Sequence, residues 1–148
     1  MNDRYIVYFI SSTKKKMTKY IESQLIENEL FDLIPSHGNI LTNLYDHHKK
    51  LTMKEIAKRI GRDKSTVTPL VNKLVKLGYV EKEKSQEDKR TTYLVLTNKG
   101  KEIESKFRAI SDEVISTAYE GFTEEDKEIF LKYLKRLNNN FDVDVKAT

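Results

Sequence analysis

LTMKEIAKRIGRDKSTVTPLVNKLVKLGY, residues 51–79, decides how the rest of this sequence is read. Thr52 and Glu55 stand at the spacing of a capping box, and Ile56, Ala57 and Ile60 follow at helical intervals as far as Gly61. Glycine suits the left-handed residue that ends a helix. Asp63 or Ser65 can then cap a second helix whose inner face is Val67, Leu70, Val71, Leu74 and Leu77, closed by Gly78. The spacing predicts two short helices joined by a tight turn.

Two β-prone runs follow, Tyr79 to Lys84 and Thr91 to Leu96, around the polar stretch Ser85 to Arg90. They predict a hairpin. Thr97 caps a long helix with Ile103, Phe107, Ile110, Val114 and Ala118 on one stripe. Gly121 interrupts, and Thr123 with Glu124, Glu125 and Asp126 starts a last helix, since acids favour the positive helix N-terminus. Its apolar face is Ile129, Phe130, Tyr133, Leu134 and Leu137, and the tail beyond Asn138 is polar and expected to fray. On the other side of residues 51–79, Ile6, Phe9, Ile10, Met17, Ile21 and Leu25 predict an amphipathic helix over about 3–28. Ile34-Pro35-Ser36 breaks the chain. Ser36 is expected to cap a helix burying Ile40, Leu41, Leu44 and Tyr45 and ending at His47-His48-Lys49-Lys50.

Composition removes several classes of function. The 148 residues include no cysteine, which excludes a disulfide framework, thiolate zinc, iron–sulfur clusters and thiol redox switching. No phosphate-binding glycine loop, dinucleotide fingerprint or nucleophile elbow occurs, and nothing recruits an enzyme. The longest apolar run, Tyr5 to Ile10, is far short of a membrane span of roughly 20 residues. A soluble, intracellular protein of one domain is expected. Charge is segregated: residues 1–48 carry net −1, residues 49–106 net +8 and residues 107–148 net −3. A basic middle flanked by slightly acidic ends points to a polyanion-binding module.

Helix, turn, helix and hairpin inside that basic segment describe a winged helix-turn-helix in a mainly α chain with a small β-hairpin wing. The second helix must fit a major groove about 12 Å wide and offer short polar side chains to base edges. Ser65, Thr66, Thr68 and Asn72 meet that need, and Lys64 and Lys73 stand where phosphates would pass. The sequence here resembles the multiple antibiotic resistance regulator (MarR) family. The resemblance lies in Leu51-Thr-Met-Lys-Glu-Ile-Ala, in Ser65-Thr-Val-Thr, in Leu74-x-x-x-Gly78-Tyr79-Val80, and in Asp88-Lys89-Arg90 followed by Leu96-Thr97-x-x-Gly100. The long outer helices are in family position, so it spans nearly the whole chain.

The resemblance implies a homodimer, expected in the cytoplasm at the nucleoid; the residues themselves lead us to expect no cofactor, no metal and no membrane attachment. It implies dimerisation helices over 1–34 and 98–140, a DNA-binding winged segment over 36–97, and double-stranded DNA with a palindromic site as partner. A repressor released by a small aromatic or phenolic effector is the role it favours. It further implies that the wing arginine, Arg90, enters the minor groove, steered by Asp88 and flanked by Lys89. Pro69 departs from the commonest pattern, in which a basic residue stands at that place; some members, peroxide-sensing relatives among them, resemble this chain in having proline there. With Ser65 as cap, Pro69 would be the fourth helical residue. Cysteine-based peroxide sensing is excluded, and His37, His47 and His48 lack the partner histidines of the zinc-sensing members. His37, with Tyr20 and Tyr45, is the candidate lining of an effector pocket; Tyr5 and Tyr8 are weaker candidates, and ordinary core packing is the plainer reading for all of them.

Three rivals remain open at this point. A sequence-blind chromosome-architecture protein of the same fold would bind every duplex alike and lose binding steeply with salt. A protein-interaction module would bind no duplex, against which the segregated charge argues. RNA binding lacks a stacking aromatic motif in the basic segment.

Overall fold

The computed structural model describes residues 2–47 and 50–142; His48 and Lys49, on which the end of the second predicted helix was read, and the tail from 143 lie outside the described residues. The chain forms two compact units that divide between Val114 and Ile115. A 3-10 turn over Asp3–Tyr5 leads into α1 (Ile6–Glu27), then α2 (Pro35–His47), β1 (Leu51–Thr52), α3 (Met53–Ile60), α4 (Lys64–Leu77), β2 (Val80–Lys84) and β3 (Thr92–Leu96). Next come α5 (Asn98–Glu102), α6 (Glu104–Ala118), within which the unit boundary falls, and α7 (Glu124–Asn140).

The core of the first unit is the predicted one. Ile40, Leu41, Leu44 and Tyr45 of α2, Ile56 of α3, and Val67, Val71 and Leu74 of α4 are buried together with Leu94 and Phe107. Gly61 and Gly78 end α3 and α4 with φ of 68° and 85°, the left-handed conformation that costs glycine least. At the end of α1 that place is taken by Glu29, at φ 61°. The turn holds because Leu30 N–H donates to the Leu25 carbonyl at 2.8 Å and both leucines are buried, the hydrophobic contact that accompanies this kind of helix end.

Several expectations need correction. α2 starts at Pro35, so Ser36 lies inside it rather than capping it. Ile34 has no side-chain acceptor, and the imidazole Nδ1 of His37 reaches back to take the Ile34 N–H at 3.1 Å, in the way the third helical residue does in a capping box. Thr52 caps α3 by accepting from Glu55 N–H, but the Glu55 carboxylate meets the Thr52 hydroxyl, so the reciprocal half of the box takes another form. Asp63, not Ser65, caps α4, which makes Pro69 its sixth residue instead of its fourth. The hairpin gains a third strand: β1 pairs antiparallel with β3, Leu51 opposite Leu94, giving the order β1-β3-β2. Two residues have no period, so no pattern announces such a strand.

The long helix after the wing is two helices. α5 ends at Ile103 (φ −92°, ψ 3°) before α6 begins. The Tyr45 hydroxyl donates to the Gly100 carbonyl at 2.6 Å and draws it away from the helical ladder at that place, a recognised cause of helix breaks. The same turn clamps the end of α4. Thr97 N–H donates to the Tyr79 carbonyl, the Thr97 hydroxyl to the Gly78 carbonyl, and Lys99 Nζ to the Leu77 carbonyl. A Cβ on Gly100 would lie 2.2 Å from the Tyr79 carbonyl oxygen. The Leu-Thr-x-x-Gly pattern is thus a device for seating α5 on the α4–β2 junction.

The second unit contains the end of α6 and all of α7. Thr123 and Asp126 form a complete capping box at the start of α7. Tyr119 and Phe122, and Phe122 and Phe130, pack edge to face at 5.5 and 5.7 Å. No residue of α7 is buried, and Ala118, expected on a buried stripe, is exposed. No described helix is long and apolar enough to cross a membrane.

Candidate nucleic-acid interface

α4 has two faces. Val67, Val71 and Leu74 are buried, with Leu70 and Leu77 half-buried beside them, while Lys64, Ser65, Thr66, Pro69, Asn72 and Lys73 are exposed and Thr68 is half-buried. The apolar face holds the helix to α2 and α3, leaving the polar face outward, as a helix entering a major groove requires. At its start, the Asp63 carboxylate takes Thr66 N–H at 2.8 Å and the Ser65 hydroxyl at 2.9 Å. The Thr66 side chain, then its backbone, then Ser65 hold the Asp63 carboxyl below its usual range. The Thr68 hydroxyl donates to the Lys64 carbonyl at 2.7 Å. Pro69 sits on the exposed face with no polar group, so the helix presents an apolar step between Ser65 and Asn72.

The wing carries its charge at the tip. Ser85 Oγ accepts the N–H groups of Glu87 and Asp88, and Thr91 N–H closes the loop onto the Asp88 carbonyl. Asp88 Oδ1 takes Arg90 N–H at 3.0 Å and Arg90 Nε at 3.2 Å. Those two bonds, the backbone one first, hold the Asp88 carboxyl below its usual range. The Arg90 side chain is nonetheless 92% exposed. Asp88 therefore aims the guanidinium without covering it, and Lys89 beside it is exposed too.

Of the three residues read as effector lining, Tyr20 stands on α1 and His37 and Tyr45 on α2. His37 is buried, and burial first, then Lys73, pushes its imidazole below the ordinary value, with Asp32 opposing. Its Nδ1 is committed to Ile34. Tyr45 is buried; burial pushes its phenol well above the usual range, so it remains a donor to Gly100. Tyr20 is half-buried on α1. Of the three, Tyr45 alone borders the open hollow of 1190 Å³ between the wing and the helices, with Leu44, Lys50, Tyr93, Val95 and Lys101 among its other walls. Among the described residues no group of His, Asp and Glu is placed to hold a metal ion.

Two contributions to this face were not read from the sequence. Lys82 on β2 donates to Asn72 Oδ1 at 3.0 Å and ties the wing to α4. Strand parity could have found it, since Lys82 lies two residues from the buried Val80 and so shares its face. The Tyr79 hydroxyl donates to the Asp32 carboxylate at 2.9 Å, joining the α1–α2 loop to the end of α4. Burial and then Asp32 push that phenol up to about 12. A contact across 47 residues leaves no local pattern.

A helix-turn-helix with a polar second helix, a three-stranded wing and an arginine at its tip defines a winged-helix DNA-binding protein. The MarR family model matches residues 31–91. The HTH-type transcriptional regulator SarZ of Staphylococcus haemolyticus is 32% identical over 131 residues, covering 86% of this chain and 81% of the relative. SarZ of Staphylococcus saprophyticus is 34% identical over 128 residues, covering 85% and 80%. Among solved structures, the MepR–DNA complex of S. aureus shares the fold with a TM-score of 0.85 at 24% identity, covering 95% of this chain and 100% of that one. The chain belongs to the MarR family. It is a DNA-binding transcriptional regulator.

Proposed function

We propose that the protein is a homodimeric repressor that binds a palindromic double-stranded DNA site with sequence preference. The observation that carries this reading is the pairing of α4's exposed polar row with a bare Arg90 at the wing tip, on the segment of net +8. α4 reads base edges, Arg90 and Lys89 enter the neighbouring minor groove, and Lys64 and Lys73 meet phosphates. Phosphate neutralisation supplies most of the affinity, and the helix and wing supply the preference.

Dimerisation is supported by the bare apolar stripes at the chain's ends. Tyr5, Val7, Tyr8 and Phe9 on one side, and Ile129, Phe130, Tyr133 and Leu134 on the other, are all exposed. Large apolar side chains left bare along a regular helical stripe mark an interaction surface more often than ordinary solvent-facing residues. The segments 1–34 and 98–140 are accordingly the proposed dimerisation elements, around a DNA-binding segment 36–97. Release by a small aromatic or phenolic anion belongs to the same reading; Tyr45, at the edge of the hollow, is its best-placed residue, with His37 and Tyr20 the other candidates from the sequence. A regulator of this kind works in the cytoplasm, at the nucleoid.

The test is fluorescence anisotropy with the full chain on duplexes tiled across its own upstream DNA, beside a scrambled duplex at two salt concentrations. One tile bound roughly a thousandfold more tightly than the scramble, at two protomers per site, is the expected result. Arg90→Ala weakens binding to that tile by about 1–3 kcal/mol and leaves the melting temperature unchanged. Equal binding to every tile, vanishing with salt, would make the protein an architectural one instead.

A further inference from the structure

Hydrogen-bonding capacity is not spent evenly along α4. Asp63 takes the hydroxyl proton of Ser65 and the backbone N–H of Thr66, and the Thr68 hydroxyl gives its proton to the Lys64 carbonyl. A hydroxyl has one hydrogen and two lone pairs, so these oxygens are left as acceptors. Asn72, two turns from the helix start, is the opposite case. Lys82 Nζ lies 3.0 Å from its Oδ1. An ammonium group has hydrogens and no lone pair, so only the amide oxygen can face it, and the partner itself settles which end of the amide is which. The contact follows from the fold. Val80 and Lys82 share one face of β2, Val80 is buried in the core, and β2 packs on α4. The Lys82 stem therefore leaves the sheet on the α4 side, and both Lys82 and Asn72 remain exposed to a groove.

We infer that Lys82 sets which base Asn72 reads: it holds the amide with Nδ2 outward, so that two amide hydrogens beside an ammonium form a donor-only surface selecting guanine. Guanine offers N7 and O6 as acceptors in the major groove. An unrestrained asparagine favours adenine, accepting from N6 and donating to N7. With its oxygen turned to Lys82 that two-way pair cannot form. Lys82 is thus a positioning residue for specificity, and the inference rests on the proposed placement of α4 in the major groove.

Selection from a randomised duplex library, followed by titration of singly substituted duplexes, tests it with the full-length protein, Lys82→Met, Lys82→Arg and Asn72→Ala. The wild type is expected to prefer guanine over adenine by about tenfold or more at one position of each half-site. Asn72→Ala levels the four bases at that position alone. Lys82→Met, which keeps the stem and removes the donors, brings guanine and adenine to near parity there and leaves the other positions as they were. Lys82→Arg, again a pure donor, restores the guanine preference. Two results would overturn the inference: a guanine preference intact in Lys82→Met while affinity falls evenly on all duplexes, or adenine selected by the wild type at the position that Asn72→Ala levels. A wild type without preference anywhere would remove the sequence-specific reading itself, a separate and recognisable failure.

Discussion

The winged segment and the two ends of the chain use the same helical periodicity and finish differently. Between Ile40 and Ile110 the apolar positions close on one another, with Ile40, Leu41, Ile56, Val67, Val71 and Leu74 at 0% exposure. The first half of α1 and the whole of α7 carry equally regular stripes, yet Ile6 and Phe9 are exposed and α7 buries nothing. Periodicity says which face of a helix is apolar; it does not say what covers that face. In the winged segment the cover comes from the same chain. At the ends it has to come from elsewhere, and a second copy of the chain is the proposed source.

The comparison breaks if the winged core is not self-sufficient. Leu74→Ala empties a fully buried position and is expected to cost about 2–5 kcal/mol in urea unfolding. A cost near zero would mean that this core carries little of the stability. Gly100→Ala places a Cβ against the Tyr79 carbonyl and should cost about 1–3 kcal/mol by overpacking, lowering DNA affinity as the α4–β2 junction shifts. Loss of stability without loss of affinity would confine that clamp to folding.

The ends answer to a different measurement. Leu134→Glu, on an exposed face of α7, should weaken self-association by tenfold or more in sedimentation and abolish the rise of melting temperature with protein concentration. A variant still dimeric at wild-type affinity would place the self-contact elsewhere. The smallest effect concerns His37. Its imidazole is depressed in the folded chain by burial and by Lys73, so the unfolded chain takes up the proton first as the pH falls. Stability is therefore full above the ordinary imidazole value near 6.5 and declines below it, flattening once the folded form is protonated too. His37→Gln, whose amide oxygen can still accept from Ile34, should remove that acid-side decline in a pH series of thermal melts.

Much of the fold was legible because its signals are short. Gly61, Gly78 and Thr123 mark helix ends through contacts within four residues, and Val67, Val71 and Leu74 repeat at the helical period. The exposed face of α4 followed, since fixing the buried face leaves the other by subtraction. The α5–α6 break was not legible, because it depends on a hydroxyl 55 residues away at Tyr45. Nor was the role of His37: imidazole is not an ordinary capping group, and only the absence of an acceptor on Ile34 gives it that work.

By itself, the sequence determined where the helices run, which faces are apolar, and that a basic winged segment sits between acidic ends; these follow from caps, periods and charges that act over a few residues. The tertiary structure alone decided that Leu51 joins the sheet, that Gly100 is pressed against Tyr79, and that the Tyr79 hydroxyl meets Asp32. Each of these joins groups far apart in the chain, and such a contact exists only once packing has brought its two sides together.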